Sequence, residues 1–390
     1  MDIAEAHVMD ESFDDRSSVL EVAKHMDLVG ISATTPQLKS ALGLAKQVKE
    51  ANPDVKTILG GYGPSLQPEK ALTDYVDAVI VGEGERMLKN LLTPIDGELR
   101  IGNGIYRLTP VMYLDDIPRP ARYLVDMERY IGTAQREEGR RVTSVVSMRG
   151  CAFHCNFCAA GYGLSEPLRL RSPEKVVDEM ADVQSMYDIE YFKFSDAETN
   201  PTLGHFAGLC SELYSRRWKT PWGCNMRVDK VDDKLCTLAE KAKCNEFDFG
   251  VESGSPKILK HYGKGITTKM TVKAFKAAKA HGILRRAQVI LGAPMETYGT
   301  IKMTEALLEK IDPDLVAFTI LAPYPGTAYY SEEKYGDIDW SDVDNYGNTF
   351  WHSDHLSNEE LRAEQKRLME KYHDRLAPIM GKKRRLGIIK

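Results

Sequence analysis

The chain has 390 residues, of which 52 are basic and 57 acidic, so its formal net charge is −5. At about 150 residues per domain, this length predicts two or three domains. The near balance of charges excludes a chain-wide electrostatic footprint for nucleic acid, so nucleic acid is not an expected partner. A hydrophobic share of 43 % excludes general disorder.

Membrane and secretory segments are not expected. No run approaches the roughly 18 apolar residues of a membrane span, and the acidic start of the chain does not resemble a secretory signal. The seven cysteines are an odd number and most are widely scattered, which argues against a disulfide framework. We therefore expect a cytoplasmic protein without membrane contact.

Strand and helix patterns alternate through residues 1–94 and predict a parallel, doubly wound sheet. The predicted strands are 5–10, 27–32, 55–59 and 77–82, and the predicted helices are 16–25, 36–51, 68–74 and 83–92. Four strands leave a flavodoxin-like sheet of order 2-1-3-4-5 without its first, central strand. We expect either a reduced fold or a chain start that is not the complete gene product.

Residues 95–141 are predicted to be a linker, with a small β element at 104–107 and an irregular Pro-bounded stretch at 115–120. From 142 to 335 the alternation predicts a partial (β/α)6 barrel, whose functional residues would lie at the carboxyl ends of its strands. The predicted strands are 142–148, 190–195, 221–226, 246–252, 286–292 and 315–322, and the predicted helices are 173–186, 202–215, 232–242, 268–281 and 297–310.

Residues 336–390 form a predicted C-terminal extension. Ser357 and Glu360 make a capping box that predicts a charged helix to about residue 377. The basic run Lys382–Arg385 is expected to be a solvated end, and the alternative is an electrostatic contact.

Three cysteines follow the first barrel strand with the spacing CxxxCxxC, namely Cys151, Cys155 and Cys158. Three thiolates this close can bind three corners of a 4Fe-4S cluster and leave one iron open to a further ligand. Gly150 permits the sharp bend that such a loop needs. Structural zinc is the weaker alternative, because it requires four ligands and His154 is poorly placed to be the fourth.

This motif, placed after the first strand of a partial barrel, resembles the radical S-adenosylmethionine (SAM) superfamily. Residues 27–85 are similar to the cobalamin-binding module often fused ahead of such barrels, and 115–120, 247–253 and 321–327 also resemble that subfamily. The resemblance covers nearly the whole chain. It implies that the open iron binds SAM and that an electron, from a donor such as flavodoxin or ferredoxin, cleaves SAM to a 5′-deoxyadenosyl radical.

In the light of this resemblance, acids and an arginine at two strand ends are candidate SAM-binding residues. Asp196 and Glu198 follow the second barrel strand and are expected to receive the SAM ammonium, although Ala197 separates them. Their alternative role is to cap the next helix. Arg227 follows the third strand and suits the SAM carboxylate through forked hydrogen bonds, with a surface ion pair as the alternative.

Two further strand ends complete the predicted SAM site. Glu252 and Ser253 end the fourth strand and are expected to hold the ribose hydroxyls, with a structural acid as the alternative. Gly292, Ala293 and Pro294 end the fifth strand, where a bent backbone would pair with the adenine edge. The alternative for these three residues is a simple turn.

The remaining cysteines lack ligand spacing and are expected to be small buried hydrophobes. They are Cys210, Cys224, Cys236 and Cys244. Cys224 has the alternative role of a catalytic or methyl-carrying thiol, because it sits near a strand end. No other catalytic residue is identified from the sequence.

The expected activity is methyl transfer from methylcobalamin to a small-molecule or peptide substrate. The alternatives are a non-methylating radical SAM enzyme (epimerase, cyclase or dehydratase) and a non-catalytic iron–sulfur or cobalamin accessory protein. The chain has no Asp-x-His-x-x-Gly motif, and the missing central strand would normally wall the cobalamin groove. We therefore expect weak or no cobalamin binding, against a retained site built from residues 32–36, 60–65 and 82–85.

Overall fold

A computed structural model describes residues 5–91, 102–164, 166–344 and 346–373. The strands are β1 (Leu28–Ser32), β2 (Lys56–Gly60), β3 (Ala78–Val81), β4 (Gly104–Arg107), β5 (Val142–Val145), β6 (Met148–Arg149), β7 (Arg169–Leu170), β8 (Tyr191–Phe194), β9 (Trp222–Met226), β10 (Cys244–Glu252), β11 (Leu284–Leu291) and β12 (Leu315–Ile320).

The helices are α1 (Arg16–Ala23), α2 (Leu38–Ala51), α3 (Tyr62–Leu66), α4 (Pro68–Ala71), α5 (Glu85–Leu91), α6 (Met127–Glu138), α7 (Pro173–Tyr187), α8 (Leu203–Ser215), α9 (Asp233–Lys241), α10 (Pro256–His261), α11 (Thr268–Ala280), α12 (Tyr298–Ile311), α13 (Glu332–Tyr335) and α14 (Asn358–His373). In the described ranges, no helix is long and apolar enough to cross a membrane.

The chain divides into two compact units that are not contiguous in sequence. Unit 1 comprises Met1–Asp126 and Pro323–Asp344, and unit 2 comprises Met127–Ala322 and Asn345–Lys390. The segment 323–344 therefore belongs with the N-terminal unit, a division that local sequence patterns did not indicate. Two ion pairs tie this segment to unit 1, between Lys39 and Asp339 and between Lys70 and Glu332.

Unit 1 contains a four-stranded parallel sheet in the order β1-β2-β3-β4. Its fourth strand is Gly104–Arg107, which pairs with β3 along four residues and belongs to the sheet rather than to a linker. The predicted strand at 5–10 is wrong, since this segment has no strand conformation. Instead, the carbonyl of Asp10 accepts from the amides of Phe13 and Asp14 in a turn that leads into α1.

Strands β1 and β2 are direct hydrogen-bonded neighbours from the pair Leu28 and Lys56 to the pair Ser32 and Gly60. The described strands of this sheet therefore lie side by side in the order of the sequence. The core of this unit packs α2 on the sheet, with Ala45 and Leu59 fully buried.

Unit 2 contains six parallel strands in the order β12-β11-β10-β9-β8-β5, which is a partial (β/α)6 barrel. The fold-class prediction is confirmed, and α7, α8, α9, α11 and α12 lie where the sequence predicted the connecting helices. Ser172 caps α7 and Pro173 opens it, as expected. The helix α6, the helix α10 and the two-stranded β6–β7 ladder were not predicted.

The C-terminal helix α14 packs against β12 within unit 2. Its predicted capping box is present, because the Ser357 amide donates to Glu360 at 2.8 Å and the Glu360 amide donates to Ser357 Oγ at 3.2 Å. The side chain of Gln365 donates to the carbonyl of Phe318 at 2.8 Å. The end of the predicted helix beyond 373 and the basic run Lys382–Arg385 lie outside the described residues.

Candidate functional site

The loop that carries the three cysteines is closed at its base by the antiparallel β6–β7 ladder, in which Met148 pairs with Leu170. Gly150 begins the loop with φ +75°, and a Cβ at this position would lie 2.7 Å from the carbonyl oxygen of Glu166. Only glycine fits this left-handed, crowded turn. The structure thus confirms the bend that the sequence assigned to Gly150.

The three thiols lie on one short loop and none is in a disulfide. Cys155 is buried, while Cys151 and Cys158 are half-buried. The amide of Gly161 donates to Cys158 Sγ at 3.4 Å. In the described ranges, no three His, Cys, Asp or Glu side chains are arranged to hold a single metal ion.

Burial dominates the electrostatics of two of these thiols, Cys151 and Cys155. It raises the pKa of Cys155 to about 11, and the positive charges of Lys264 and Arg227 oppose that rise. Burial likewise raises the pKa of Cys151, and the negative charge of Glu198 adds to the effect. These thiols therefore stay protonated at neutral pH without a metal, and metal ligation supplies the driving force for their ionisation.

The middle of the cysteine loop is anchored on the last residue of α10 and the residue that follows it. The backbone amide of Asn156 donates to the carbonyl of Tyr262 at 3.0 Å, and its side-chain amide donates to the carbonyl of His261 at 2.7 Å. The rings of Phe157 and Tyr262 meet edge to face with centroids 5.0 Å apart. Three contacts of different kinds thus fix the position of the loop.

Arg227 lies directly over the cysteine loop, with its guanidinium carbon 3.5 Å from the ring centroid of Phe153. It is 5 % exposed, forks onto the Asp229 carboxylate at 3.0 and 3.2 Å, and donates to the carbonyl of Lys264 at 2.7 Å. The side chain of Asn200 holds its backbone on both sides. The alternative of a surface ion pair is wrong, because the side chain is buried.

Glu198 is a buried carboxylate whose hydrogen-bonding capacity is unused. It is 3 % exposed, and neither of its oxygens has a hydrogen-bond partner among the described residues. Arg227 Nε lies 3.7 Å away. Burial raises the pKa of Glu198, and the positive charges of Lys230 and Arg227 oppose the rise. Leaving a buried acceptor unsatisfied is costly, so this arrangement favours the binding of a cationic donor.

Asp196 faces the base of the cysteine loop rather than open space. Its carboxylate accepts from the amide and hydroxyl of Ser147 at 2.7 and 2.6 Å and from the amide of Met148 at 3.2 Å. Burial raises its pKa to about 6, against the lowering effect of the hydrogen bonds from Ser147. Its backbone carbonyl accepts from the side chain of Asn225. Both groups of Asp196 that could receive the SAM ammonium already have protein partners.

The alternative role of Asp196 and Glu198 as caps of the next helix is also wrong. The N-cap of α8 is Thr202, whose hydroxyl accepts from the amide of His205 at 3.1 Å. The two acids instead lie before the helix. Asp196 accepts from Ser147 and Met148, and Glu198 lies next to Arg227.

Glu252 and Ser253 lie at the end of β10, as predicted. Glu252 has a left-handed φ of 60° next to a β-bulge, and its carboxylate accepts from the ammonium of Lys264. The Ser253 hydroxyl lies 3.3 Å from Thr304 Oγ1 and accepts from the amide of Ser255 at 3.1 Å. Such strained backbone at a strand end is typical of a functional site.

The bend Gly292–Ala293–Pro294 is covered by the C-terminal part of unit 2. Gly292 has φ +90°, its amide donates to Glu296 at 3.2 Å, and its carbonyl accepts from Trp351 Nε1 at 2.7 Å. The Pro294 carbonyl accepts from the Asp354 amide at 2.7 Å. Pairing of this bend with the adenine edge would therefore add a second hydrogen bond to carbonyls that already accept one.

The four other cysteines are all buried, as expected. Cys224 Sγ lies 3.9 Å from Cys244 Sγ within the packed interior. At 1 % exposure Cys224 matches the expectation of a small buried hydrophobe.

Sequence reasoning missed two buried charged residues near the site, Lys264 and Glu296. Lys264 lies between two glycines in the sequence Gly263-Lys264-Gly265, a local signal that could have found it. Glu296 has no comparable signal, because the hydrogen bond from Ser353 Oγ to its backbone carbonyl, across 57 positions, depends on tertiary structure.

The loops predicted to line a cobalamin site follow β1, β2 and β3. A Cβ at Gly61 would lie 2.7 Å from the carbonyl oxygen of Ala33, and one at Gly63 would lie 2.6 Å from that of Thr34. The amide of Gly63 donates to the Ala33 carbonyl at 2.9 Å. The first two loops therefore touch backbone to backbone, and the residues present do not fit a nucleotide tail between them.

The residues of unit 2 do fit a cluster and a SAM molecule. Three thiols lie on one anchored loop, and an unsatisfied buried carboxylate lies next to Arg227, which stacks on that loop. Comparison with known proteins agrees with this chemistry. A sequence profile of the radical SAM superfamily matches residues 145–308, and a profile of the B12-binding domain matches residues 5–92.

Known relatives span most of the chain. An uncharacterized methyltransferase of Pyrococcus horikoshii is 30 % identical over 328 residues, which cover 80 % of this chain and 70 % of the relative. The anaerobic magnesium-protoporphyrin IX monomethyl ester cyclase of Rubrivivax gelatinosus is 29 % identical over 326 residues, which cover 78 % of this chain and 58 % of the cyclase.

Among solved structures, the radical SAM methyltransferase TsrM of Kitasatospora setae has a similar fold. The TM-score is 0.67 at 19 % identity, and the match covers 82 % of this chain and 67 % of TsrM. At this identity the likeness concerns the fold alone. The cysteine loop, the matched profile and the Pyrococcus relative together show that the chain belongs to the radical SAM superfamily, whose members are enzymes with a 4Fe-4S cluster and SAM.

Proposed function

We propose that Cys151, Cys155 and Cys158 are the cluster ligands of this radical SAM enzyme and that Glu198 and Arg227 bind SAM. The observation that carries the proposal is the buried Glu198 carboxylate, which lies 3.7 Å from Arg227 Nε and accepts no hydrogen bond within the described part of the chain. Arg227 in turn stacks on Phe153 inside the cysteine loop. A zwitterion with an ammonium and a carboxylate matches this pair of charges.

The cluster and SAM, when bound, supply an electron transfer and a carbon-centred radical. The chain's own residues bind and orient. In this proposal Glu198 accepts a hydrogen bond from the ammonium of SAM. The guanidinium of Arg227, at the cysteine loop, binds the carboxylate of SAM. Glu252, whose carboxylate accepts from Lys264, is the proposed partner of the ribose hydroxyls. The low exposure of all four side chains keeps water from the reacting centre.

Asp196 takes a positioning role in this proposal. Its three hydrogen bonds to Ser147 and Met148 fix the chain immediately before the cysteine loop. Ser253 holds the β10 end through Thr304 and Ser255. The Gly292–Pro294 bend, with its carbonyls engaged, shapes the wall of the site.

Methyl transfer is the proposed reaction class, with a small molecule or a peptide as substrate. The Pyrococcus relative named as a methyltransferase and the match to the B12-binding domain support it. Non-methylating chemistry is the second candidate, because the loops after β1 and β2 close on one another and one relative is named as a cyclase. A cytoplasmic setting with a flavodoxin or ferredoxin as electron donor belongs to the same proposal.

The test is SAM cleavage by the anaerobically reconstituted full chain with dithionite as reductant. We expect 5′-deoxyadenosine from the wild type and its loss in Glu198→Gln, with the cluster still loaded. Lys230→Gln is the control, since the charge of Lys230 also acts on Glu198 but Lys230 is not proposed to touch SAM. Wild-type protein that carries a full cluster and forms no 5′-deoxyadenosine would contradict the proposal.

A further inference from the structure

Lys264 is a buried ammonium held by unusual backbone. It is 8 % exposed, and lysine is almost never buried unless it is paired. The flanking residues Gly263 and Gly265 have φ angles of +67° and +73°, which side chains rarely adopt. The chain therefore uses two left-handed glycines to turn one lysine into the interior.

The ammonium fills a space that β10 leaves open for it. A Cβ at Gly250 would collide with Lys264 Nζ and would lie 2.5 Å from Glu252 Oε1. Lys264 Nζ donates to the Gly250 carbonyl at 2.9 Å and to the Glu252 carboxylate. The β-bulge between Gly250 and Glu252 brings both acceptors to the same side.

The same short segment contacts the rest of the site. The Lys264 carbonyl accepts from Arg227 at 2.7 Å. The neighbouring carbonyls of His261 and Tyr262 accept from Asn156 of the cysteine loop at 2.7 and 3.0 Å. One segment of four residues thus joins the cysteine loop, Arg227 and Glu252.

We propose that Lys264 is a positioning residue that couples the cluster to the SAM site. Its ammonium holds Glu252 in place and supplies a fixed positive charge beside the cysteine loop. The inference rests on the proposed cluster ligands Cys151, Cys155 and Cys158. It adds a residue to which sequence reasoning assigned no role.

The charge has a measurable consequence for the cluster. Three thiolate ligands give the cluster site a net negative charge. One-electron reduction of the cluster core from the 2+ to the 1+ state adds a further negative charge. A buried positive charge nearby stabilises the reduced state, so its removal lowers the reduction potential. Removal also leaves the buried Glu252 carboxylate without its cation, which weakens the binding of SAM.

The experiment compares four variants of the full reconstituted chain by two measurements, the midpoint potential of the cluster and the Kd of SAM. Lys264→Met removes the charge, and Lys264→Arg retains it. Gly250→Ala retains the lysine but displaces its ammonium. Lys257→Met is the matched control, because Lys257 is exposed on α10.

We expect Lys264→Met and Gly250→Ala to lower the midpoint potential and to raise the Kd of SAM at least fivefold. Both quantities should lie closer to the wild-type values in Lys264→Arg, and both should equal the wild-type values in Lys257→Met. If Lys264→Met fails to load iron, the same two measurements on Gly250→Ala decide the matter. If the cluster-loaded Lys264→Met and Gly250→Ala variants keep the wild-type midpoint potential and a Kd of SAM within twofold of the wild type, the inference about Lys264 is overturned. The assignment of the cluster ligands would not be affected. A wild-type chain that binds no cluster would overturn the ligand assignment as well.

Discussion

The guanidinium of Arg227 and the ring of Phe153 lie face to face, 3.5 Å from the guanidinium carbon to the ring centroid. Phe153 belongs to the cysteine loop and Arg227 to the end of β9, so the stack fixes the loop to the barrel strand. A guanidinium stacks on an aromatic face and forks onto a carboxylate at the same time, which an ammonium does not. Arg227 does both here.

Replacing Arg227 by lysine should therefore weaken SAM binding. The loss of a charged hydrogen bond costs about 1.5–3 kcal/mol, which corresponds to a rise in Kd of roughly 10- to 150-fold. Equilibrium binding of SAM to the reconstituted protein measures this change. Arg216→Lys is the control, since Arg216 also forks onto acids but lies on the surface just after α8. An unchanged Kd in Arg227→Lys would leave Arg227 with a structural role only.

Anaerobic reconstitution should load about four irons and four sulfides per chain, as a 4Fe-4S cluster with three protein ligands requires. Alanine at Cys151, Cys155 or Cys158 should abolish the formation of 5′-deoxyadenosine. Cys236→Ala is the matched control, because Cys236 is a buried free thiol on α9. Iron and sulfide assays with product chromatography give the answer. Cleavage that survives any one of the three replacements would remove that cysteine from the ligand set.

Glu296 should make stability fall as the pH rises. Burial raises the pKa of Glu296 from 4.5 to about 7, so between these values the folded chain holds a proton that the unfolded chain lacks. The free energy of unfolding then drops with rising pH, by up to about 3 kcal/mol for this group. In Glu296→Gln this pH-dependent contribution to the free energy of unfolding vanishes, while an amide oxygen remains to accept a hydrogen bond from the Gly292 amide.

Urea midpoints at pH 5 and pH 8 measure this effect, and the loss of stability between the two should be smaller in Glu296→Gln than in the wild type. Glu305→Gln supplies the control, because the ionisation of Glu305 lies below this pH range and its replacement should leave the difference between pH 5 and pH 8 unchanged. Hydrogen bonds from Arg367 and Lys371 lower the pKa of Glu305 to about 2, so its contribution is present above pH 4.5 and is lost only as the pH falls toward 2. Equal pH dependence in wild type and Glu296→Gln would show that Glu296 ionises normally.

Cobalamin should be bound weakly or not at all by this chain. The Gly63 amide and the Ala33 carbonyl are hydrogen-bonded at 2.9 Å, so the loops after β1 and β2 have no space between them for a nucleotide tail. After incubation with hydroxocobalamin and desalting, the visible spectrum should show less than one cobalamin per chain. Stoichiometric retention would overturn this prediction and make methyl transfer through cobalamin the firm interpretation.

Local patterns were sufficient for much of the fold. Six barrel strands, five connecting helices and the bend at Gly150 follow from periodicity, caps and one motif, all of which are encoded within short windows of sequence. Arg227 and Glu198 follow strand ends, and parallel strands bring such ends together. For the same reason, Arg227 stacks on the cysteine loop and the charge of Glu198 acts on Cys151 in the structure.

Features that depend on distant partners escaped this reasoning. Gly104–Arg107 is an ordinary short β element until it pairs with β3. The residues near Gly292 in sequence do not indicate a partner for its carbonyl. The partner is Trp351, 59 positions away, and only the fold brings the two together. The sequence around Lys264 does not show that this lysine is buried. Its burial depends on the space that Gly250 leaves for its ammonium. Pairings of this kind have no local periodicity to reveal them.

The passage of residues 323–344 through unit 1 has a topological consequence. The chain crosses between the units at three places, after Asp126, after Ala322 and after Asp344. A protease that cuts only at the first crossing would leave both fragments carrying part of unit 1. The two pieces would then stay associated under native conditions and separate only in denaturant. A shortened protein that keeps one complete unit must likewise include two stretches of sequence, joined by a new connection.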